Sequence, residues 1–157
     1  MPQLITIGEC MVELLANQPL EEADTFHRSL AGDTINILVA AARLGTTTGY
    51  ITRLGRDHFA NYLLSSWEKE GVETSQVKKV EGFNGVYFVS LLSGGEREFI
   101  YYRKGSAPSG MEPFDLDCNY IKQARILHIS GITQAISKTA RATVLRAVKI
   151  AEEEGVA

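Results

Sequence analysis

The chain has 157 residues, 45% hydrophobic and 22% charged, with a net charge of −3. This suits one domain of ordinary size with a buried core. The lack of a basic block excludes a nucleic-acid-binding surface as the basis of function. No apolar stretch approaches the roughly 20 residues that cross a bilayer, and residues 3–9 read as a strand closed by an acid rather than a secretory leader. Cys10 and Cys118 stand far apart with no CxxC or Cys/His spacing. A soluble, cytoplasmic protein with free thiols, no membrane partner and no metal site is therefore expected.

Residues 3–8 (QLITIG) form a β-branched run ending at Gly8, read as a buried strand. Gly8 and Glu9 fall at its C-terminal end, where open α/β sheets place ligands. Residues 11–16 and 25–30 read as short extended segments around a polar loop at 17–24. His27 has no nucleophile or metal partner nearby and reads as solvated. An alanine-rich helix is expected over 33–44, closed by Gly45, followed by a strand at 47–52. The run RLGRDHF (53–59) reads as a turn leading to Asp57, the N-cap of a helix over 58–70 that buries Trp67 and ends at Gly71. An extended piece begins at 72–73.

The period changes near Gly82. Residues 85–92 and 97–103 alternate as strands around Ser-Gly-Gly-Glu at 93–96, a β-hairpin. Tyr87 and Phe88 fall on opposite faces, as do Tyr101 and Tyr102, while Tyr101 and Arg103 share a face. Residues 104–111 read as a polar loop and 124–130 (ARILHIS) as a strand ending at Gly131, with His128 a core histidine. Ser137 is the expected cap of a helix to Glu154, with Gly155 beyond it, and 156–157 begin another strand. Strands alternating with helices imply right-handed βαβ units in a largely parallel sheet. The segments lacking crossover helices, about 11–30 and 83–103, are expected to form a small second sheet able to act as a lid.

Two groups of residues carry chemistry. At 31–36 (AGDTIN), Gly32 lets backbone approach closely, Asp33 can cap the helix and complement its positive end, and Asn36 can donate and accept. The set suits a polyhydroxylated ligand, and equally a plain helix cap with a tolerated Asn36. In the hairpin, a Tyr101 hydroxyl beside the Arg103 guanidinium suits a sugar that carries a carboxylate, since arginine binds carboxylate through two parallel hydrogen bonds. An ordinary solvated strand is the alternative there.

With the strand–Gly8–Glu9 opening, AGDTIN, Gly45, Gly55, Asp57 after RLG, the hairpin, YYRKGSA (101–107) and HISGI (128–132) in order, the chain resembles the ribokinase-like (PfkB) carbohydrate kinases over its whole length. Within that family it looks most like the 2-keto-3-deoxygluconate kinases, where Gly-Asp-Thr before the asparagine is usual. Thr34 and Leu38 stand where the general family signature has small residues. The resemblance implies a ribokinase-like α/β fold with a β-sheet lid, spanning 1–157 as the N-terminal part of that domain. It also implies ATP-dependent phosphorylation of a small sugar acid. Gly8, Gly32, Asp33, Asn36, Tyr87, Tyr101 and Arg103 would bind substrate, Arg103 at the carboxylate or keto end. Glu9 and His128 receive no role.

The family's second signature, a Gly-Ala-Gly-Asp helix start that supplies the general base and an anion hole, does not occur in these residues, nor does a GxxxxGK[ST] loop. The expectation is therefore an N-terminal half of a kinase about twice as long. ATP and Mg²⁺ would be bound mainly by the other half, and the full-length protein would dimerise through the lid. A fructokinase- or ribokinase-type enzyme and a catalytically silent sugar-binding fragment are the rival readings. A dinucleotide-binding domain is disfavoured because no GxGxxG opens the first helix.

Overall fold

The computed structural model describes residues 1–91 and 94–157. Leu92, the last residue of the expected strand 85–92, and Ser93, the first of the expected turn, lie outside the described residues. Among the described residues the strands form two sheets. The central sheet is parallel throughout. β1 (Leu4–Ile7) lies between β4 (Thr48–Gly55) and a later strand, Ile126–His128. β4 is paired along its first half by β5 (Val72–Glu73) and along its second by β6 (Val77–Val80). The second sheet has the order β3–β2–β7–β8, built from β2 (Met11–Ala16), β3 (His27–Ala31), β7 (Val86–Leu91) and β8 (Arg97–Tyr102). The Ile126–His128 strand, β9, carries an extended pairing with the end of the chain: Ala157 N–H donates to Arg125 O at 3.1 Å, and Leu127 N–H to Ala157 O at 2.8 Å.

The central strands are apolar on both sides because helices cover both faces. On one face α1 (Asp33–Arg43) and α2 (Ala60–Lys69) bury Ile35, Leu38, Leu63 and Trp67 against Tyr50 and Leu54. Trp67 meets Tyr50 edge-to-face at 5.2 Å, so its role is core packing. On the other face Ile5 and Ile7 pack against Val144, Ala147 and Ile150 of the helix Lys138–Glu154. That helix starts as the sequence implies, with Ser137 Oγ accepting Ala140 N–H at 2.9 Å, and stops at Gly155 in the left-handed conformation, φ 72°. No helix among the described residues is long and apolar enough to cross a membrane.

Several boundaries differ from expectation. The N-cap of α1 is Gly32. Asp33 occupies the first helical position, its Oδ1 accepting Thr34 N–H at 2.9 Å. Strand β4 runs on through the expected turn to Gly55, because β6 offers it a partner. α2 begins at Ala60 rather than residue 58. The Asp57 carboxylate takes Phe59 N–H (2.9 Å) and the backbone N–H and one amide N–H of Asn84 (2.7 Å each) instead of capping a longer helix. Gly131 starts a helix, α4 (Gly131–Ile136), capped by Ser130, rather than only closing a strand. A short α3 (Cys118–Lys122) precedes β9, capped by Asp117, so the 138–154 helix is α5.

The junction of the two sheets is tied by Asn84, which is buried. Its side chain accepts Gly55 N–H and donates to Gly55 O, both at 2.9 Å, while Asp57 holds its other donors. A Cβ at Gly55 would meet Gly82 O at 2.7 Å, so only glycine lets these segments approach. This clamp anchors the start of β7 beside the C-terminal end of β4. The chain also leaves the central sheet after β1, builds β2 and β3, and returns through α1. Both connections bring the second sheet over the C-terminal ends of the central strands.

Candidate functional site

A cavity of about 290 Å³ lies between the start of α1 and the inner face of the second sheet, close to the smallest volumes typical of small-ligand sites, roughly 300 Å³. Of the seven residues expected in the site, Gly32, Asp33, Asn36, Tyr87, Tyr101 and Arg103 border it. Gly8 does not. It sits behind the wall, where a Cβ would meet Thr34 Oγ1 at 2.2 Å and Thr133 Oγ1 at 2.8 Å. Its missing side chain makes room for protein rather than for a floor of the cavity. Gly32 serves both purposes. It lines the cavity, and a Cβ there would come within 2.3 Å of Glu9 O.

The wall from the second sheet is aromatic. Tyr87 and Tyr101 face each other in the β7–β8 register and stack at 5.5 Å, with Phe99 6.3 Å from Tyr101 in the same stack. Phe88 and Tyr102 lie on the opposite face and meet edge-to-face at 5.8 Å, as the alternation requires. Tyr87 is buried, and its hydroxyl donates to Glu13, whose other oxygen accepts Ser29 Oγ at 2.6 Å. Burial and Glu13 push the Tyr87 phenol up, so it stays protonated and braces the sheet. Tyr101 is half exposed, 51%, and is the tyrosine with surface to offer.

Arg103 closes the far side, its Cζ 6.0 Å from the Tyr101 ring centroid. Its Nη2 lies 2.6 Å from Oε2 of Glu9, a buried carboxylate whose Oε1 accepts Ser106 Oγ at 2.9 Å. Burial raises the Glu9 carboxyl above its ordinary range. Arg103 and Ser106 pull it back by less, and the Asp33 charge adds to the rise. Sequence reasoning placed Glu9 at the right strand end but gave it no role; its partner is remote in sequence. It also missed Met11, Phe99 and Ile132, apolar lining residues with no signal beyond their position on the facing elements. His128 lies on β9 and does not border this cavity.

Chemically, the cavity presents an acid and an amide from α1, a tyrosine hydroxyl, an aromatic stack and one guanidinium. These suit a polyhydroxylated ligand bearing an anionic group. A larger cavity, about 460 Å³, lies at the opposite end of the central strands beside Thr48, Glu73 and Tyr120. No basic side chain lines it among the described residues, and Glu73 is already held by Tyr120 Oη at 2.5 Å and Ser75 N–H at 2.6 Å.

Comparison with known proteins agrees with this geometry. The family model of pfkB carbohydrate kinases matches residues 1–156. The chain is 33% identical over 141 residues to a 5-dehydro-2-deoxygluconokinase of Clostridium perfringens, covering 88% of this chain and 41% of that protein. It is 34% identical over 137 residues to the 2-dehydro-3-deoxygluconokinase of Bacillus subtilis, covering 85% and 42%. Among solved structures, a PfkB protein from Polaromonas sp. JS666 superposes with a TM-score of 0.96 at 34% identity, over 100% of this chain and 54% of that one. A fructokinase with bound ATP from Xylella fastidiosa superposes with a TM-score of 0.84 at 26% identity, over 98% and 50%. The chain belongs to the pfkB family of carbohydrate kinases and has its ribokinase-like α/β fold. It spans less than half the length of these two curated relatives.

Proposed function

We propose that this chain supplies the sugar pocket and lid of an ATP-dependent kinase that phosphorylates a six-carbon deoxy keto sugar acid, 2-keto-3-deoxygluconate, at its terminal hydroxyl. The observation that carries the reading is Arg103: a guanidinium at the wall of a cavity whose other polar groups suit hydroxyls. Arg103 takes the carboxylate, and Asp33, Asn36, the backbone at Gly32 and the Tyr101 hydroxyl hold the sugar oxygens. Tyr87 keeps the lid sheet in shape, and Gly8 supports the pocket from behind. The relatives' names divide between the 2-dehydro-3-deoxy and 5-dehydro-2-deoxy acids. Both carry a carboxylate, so the Arg103 role is common to both.

The γ-phosphate of ATP, with Mg²⁺ neutralising its charge, supplies the group transferred. An aspartate base and most of the nucleotide site are proposed to lie outside these 157 residues. With Arg103 given to the carboxylate, this chain's own fit to an anionic phosphate lies at Lys104, which borders a further opening of about 450 Å³ beside Ile132 and Ile136. The outer face of the lid sheet, where Phe26, Phe88 and Tyr102 cluster, is the surface proposed for a homodimer, and the cytoplasm is the proposed setting.

The test is calorimetric titration of the chain with 2-keto-3-deoxygluconate, 5-keto-2-deoxygluconate, fructose and ribose. Preference for the acids supports the reading. Preference for a neutral sugar favours a fructokinase- or ribokinase-type enzyme. ATP-dependent phosphorylation by the native polypeptide separates a kinase from a silent sugar-binding fragment.

A further inference from the structure

Glu9 is the cavity carboxylate that the proposed sugar contacts leave unused. It is buried, with 4% of its side chain exposed, and its place is built. Gly85 carries no side chain above it, where a Cβ would stand 3.2 Å from Glu9 Oε1, and Ser106 holds that same oxygen. The other oxygen lies 2.6 Å from Arg103 Nη2, yet the two atoms are misaligned, and neither makes a well-formed hydrogen bond. No other hydrogen bond or ion pair holds the Arg103 guanidinium among the described residues. The contact is close enough to place the guanidinium and leaves most of its five N–H donors open.

We propose that Glu9 is the positioning residue for Arg103: its buried carboxylate holds one terminal nitrogen, so that the remaining donors meet the carboxylate of the sugar acid. This rests on the sugar-acid reading above. Without Glu9 the flexible arginine side chain must be ordered by the ligand itself, and binding bears that entropy. A neutral sugar, which has no carboxylate to offer Arg103, is largely indifferent to Glu9.

The experiment compares Glu9→Ala, Glu9→Gln and Arg103→Ala chains by calorimetric titration with 2-keto-3-deoxygluconate and with fructose, the fold being followed by Trp67 fluorescence. Glu9→Ala is expected to weaken the acid about tenfold and fructose less than about threefold. Glu9→Gln, whose amide oxygen still accepts from Nη2, is expected to recover the acid to within about threefold of the parent. A purely structural role predicts parallel losses for both ligands without rescue, and that outcome overturns the proposal. If Glu9→Ala does not fold, Glu9→Asp, one methylene shorter, must show the same acid-selective loss; unchanged selectivity overturns it equally. Acid-selective loss in Arg103→Ala without any in the Glu9 variants defeats this inference alone. No selective loss in Arg103→Ala defeats the sugar-acid reading and the inference with it.

Discussion

Two arginines of this molecule sit beside buried carboxylates, at similar exposure, 15% for Arg53 and 24% for Arg103, and they are different objects. Arg53, on β4, is gripped through two of its three guanidinium nitrogens. Its Nε and Nη2 meet both oxygens of Asp115 at 2.7 and 3.1 Å, Glu112 adds a contact at 3.4 Å, and the Phe114 ring lies 5.5 Å away. Asp115 is well held in turn, accepting Glu112 N–H at 2.8 Å and lying 3.4 Å from Lys78 Nζ. Among the described residues Arg103 has one misaligned ion-pair contact, the Tyr101 ring 6.0 Å away, and a cavity in front of it. Burial alone does not tell a structural ion pair from a ligand anchor; the number of satisfied donors does. A guanidinium gripped by carboxylates through several donors holds the fold, and one with most of its donors to spare can hold something else.

The sharpest way to break this contrast is Arg53→Ala. It leaves Asp115 buried and short of a counter-charge, and an expected loss of about 3 kcal/mol is read by urea denaturation. The ratio of sugar-acid to fructose affinity should stay unchanged, and a fall in that ratio would make Arg53 part of the site after all. Gly32→Ala comes next. Its Cβ would press on the Glu9 carbonyl, backbone against backbone. About 2 kcal/mol of stability should be lost, measurable by thermal melting, and the acid should bind less well as the Glu9 segment shifts. Tyr101→Ala removes surface rather than charge. About 1 kcal/mol of binding, or roughly fivefold, should be lost for acid and neutral sugar alike, and selective loss of the acid by calorimetry would move the anchor from Arg103 to Tyr101.

The smallest effect is one of pH. The Glu9 carboxyl, faced by Arg103 from the end of the hairpin, Ser106 from the following loop and Asp33 from α1, binds its proton more tightly folded than unfolded. Its contribution is therefore present at low pH and is lost as pH rises from the ordinary carboxylate range, near about 4.3, through the raised value. In Glu9→Gln that contribution does not titrate. The melting temperature of the variant relative to the parent should rise across that window by on the order of 2 °C, and a constant difference between about pH 4 and pH 7 would contradict the direction of the shift.

What the sequence made legible was mostly local. The Ser137 cap, the left-handed Gly155 and the apolar β1 are set by neighbours within a few residues. So is the β7–β8 pairing, which puts Tyr87 opposite Tyr101. The resemblance placed six of the cavity residues. What stayed hidden depends on contacts between distant segments. β6, with two lysines in four residues, has no apolar pattern and is a strand because β4 offers it an edge. α3 and α4 are too short for periodicity and owe their starts to Asp117 and Ser130. Gly8 reads as a ligand position from its place at a strand end, and only the packed Thr34 and Thr133 side chains show that protein fills that space. The Glu9–Arg103 contact joins a strand end to the far arm of a hairpin, which no local pattern announces.

The most direct measurement is the affinity of the parent chain and of Arg103→Ala for 2-keto-3-deoxygluconate and for fructose, by calorimetry under one set of conditions. Losing a charge-assisted contact worth about 2 kcal/mol should weaken the sugar acid roughly 30-fold, with fructose nearly unchanged. Equal losses for both ligands would contradict Arg103 as the carboxylate anchor.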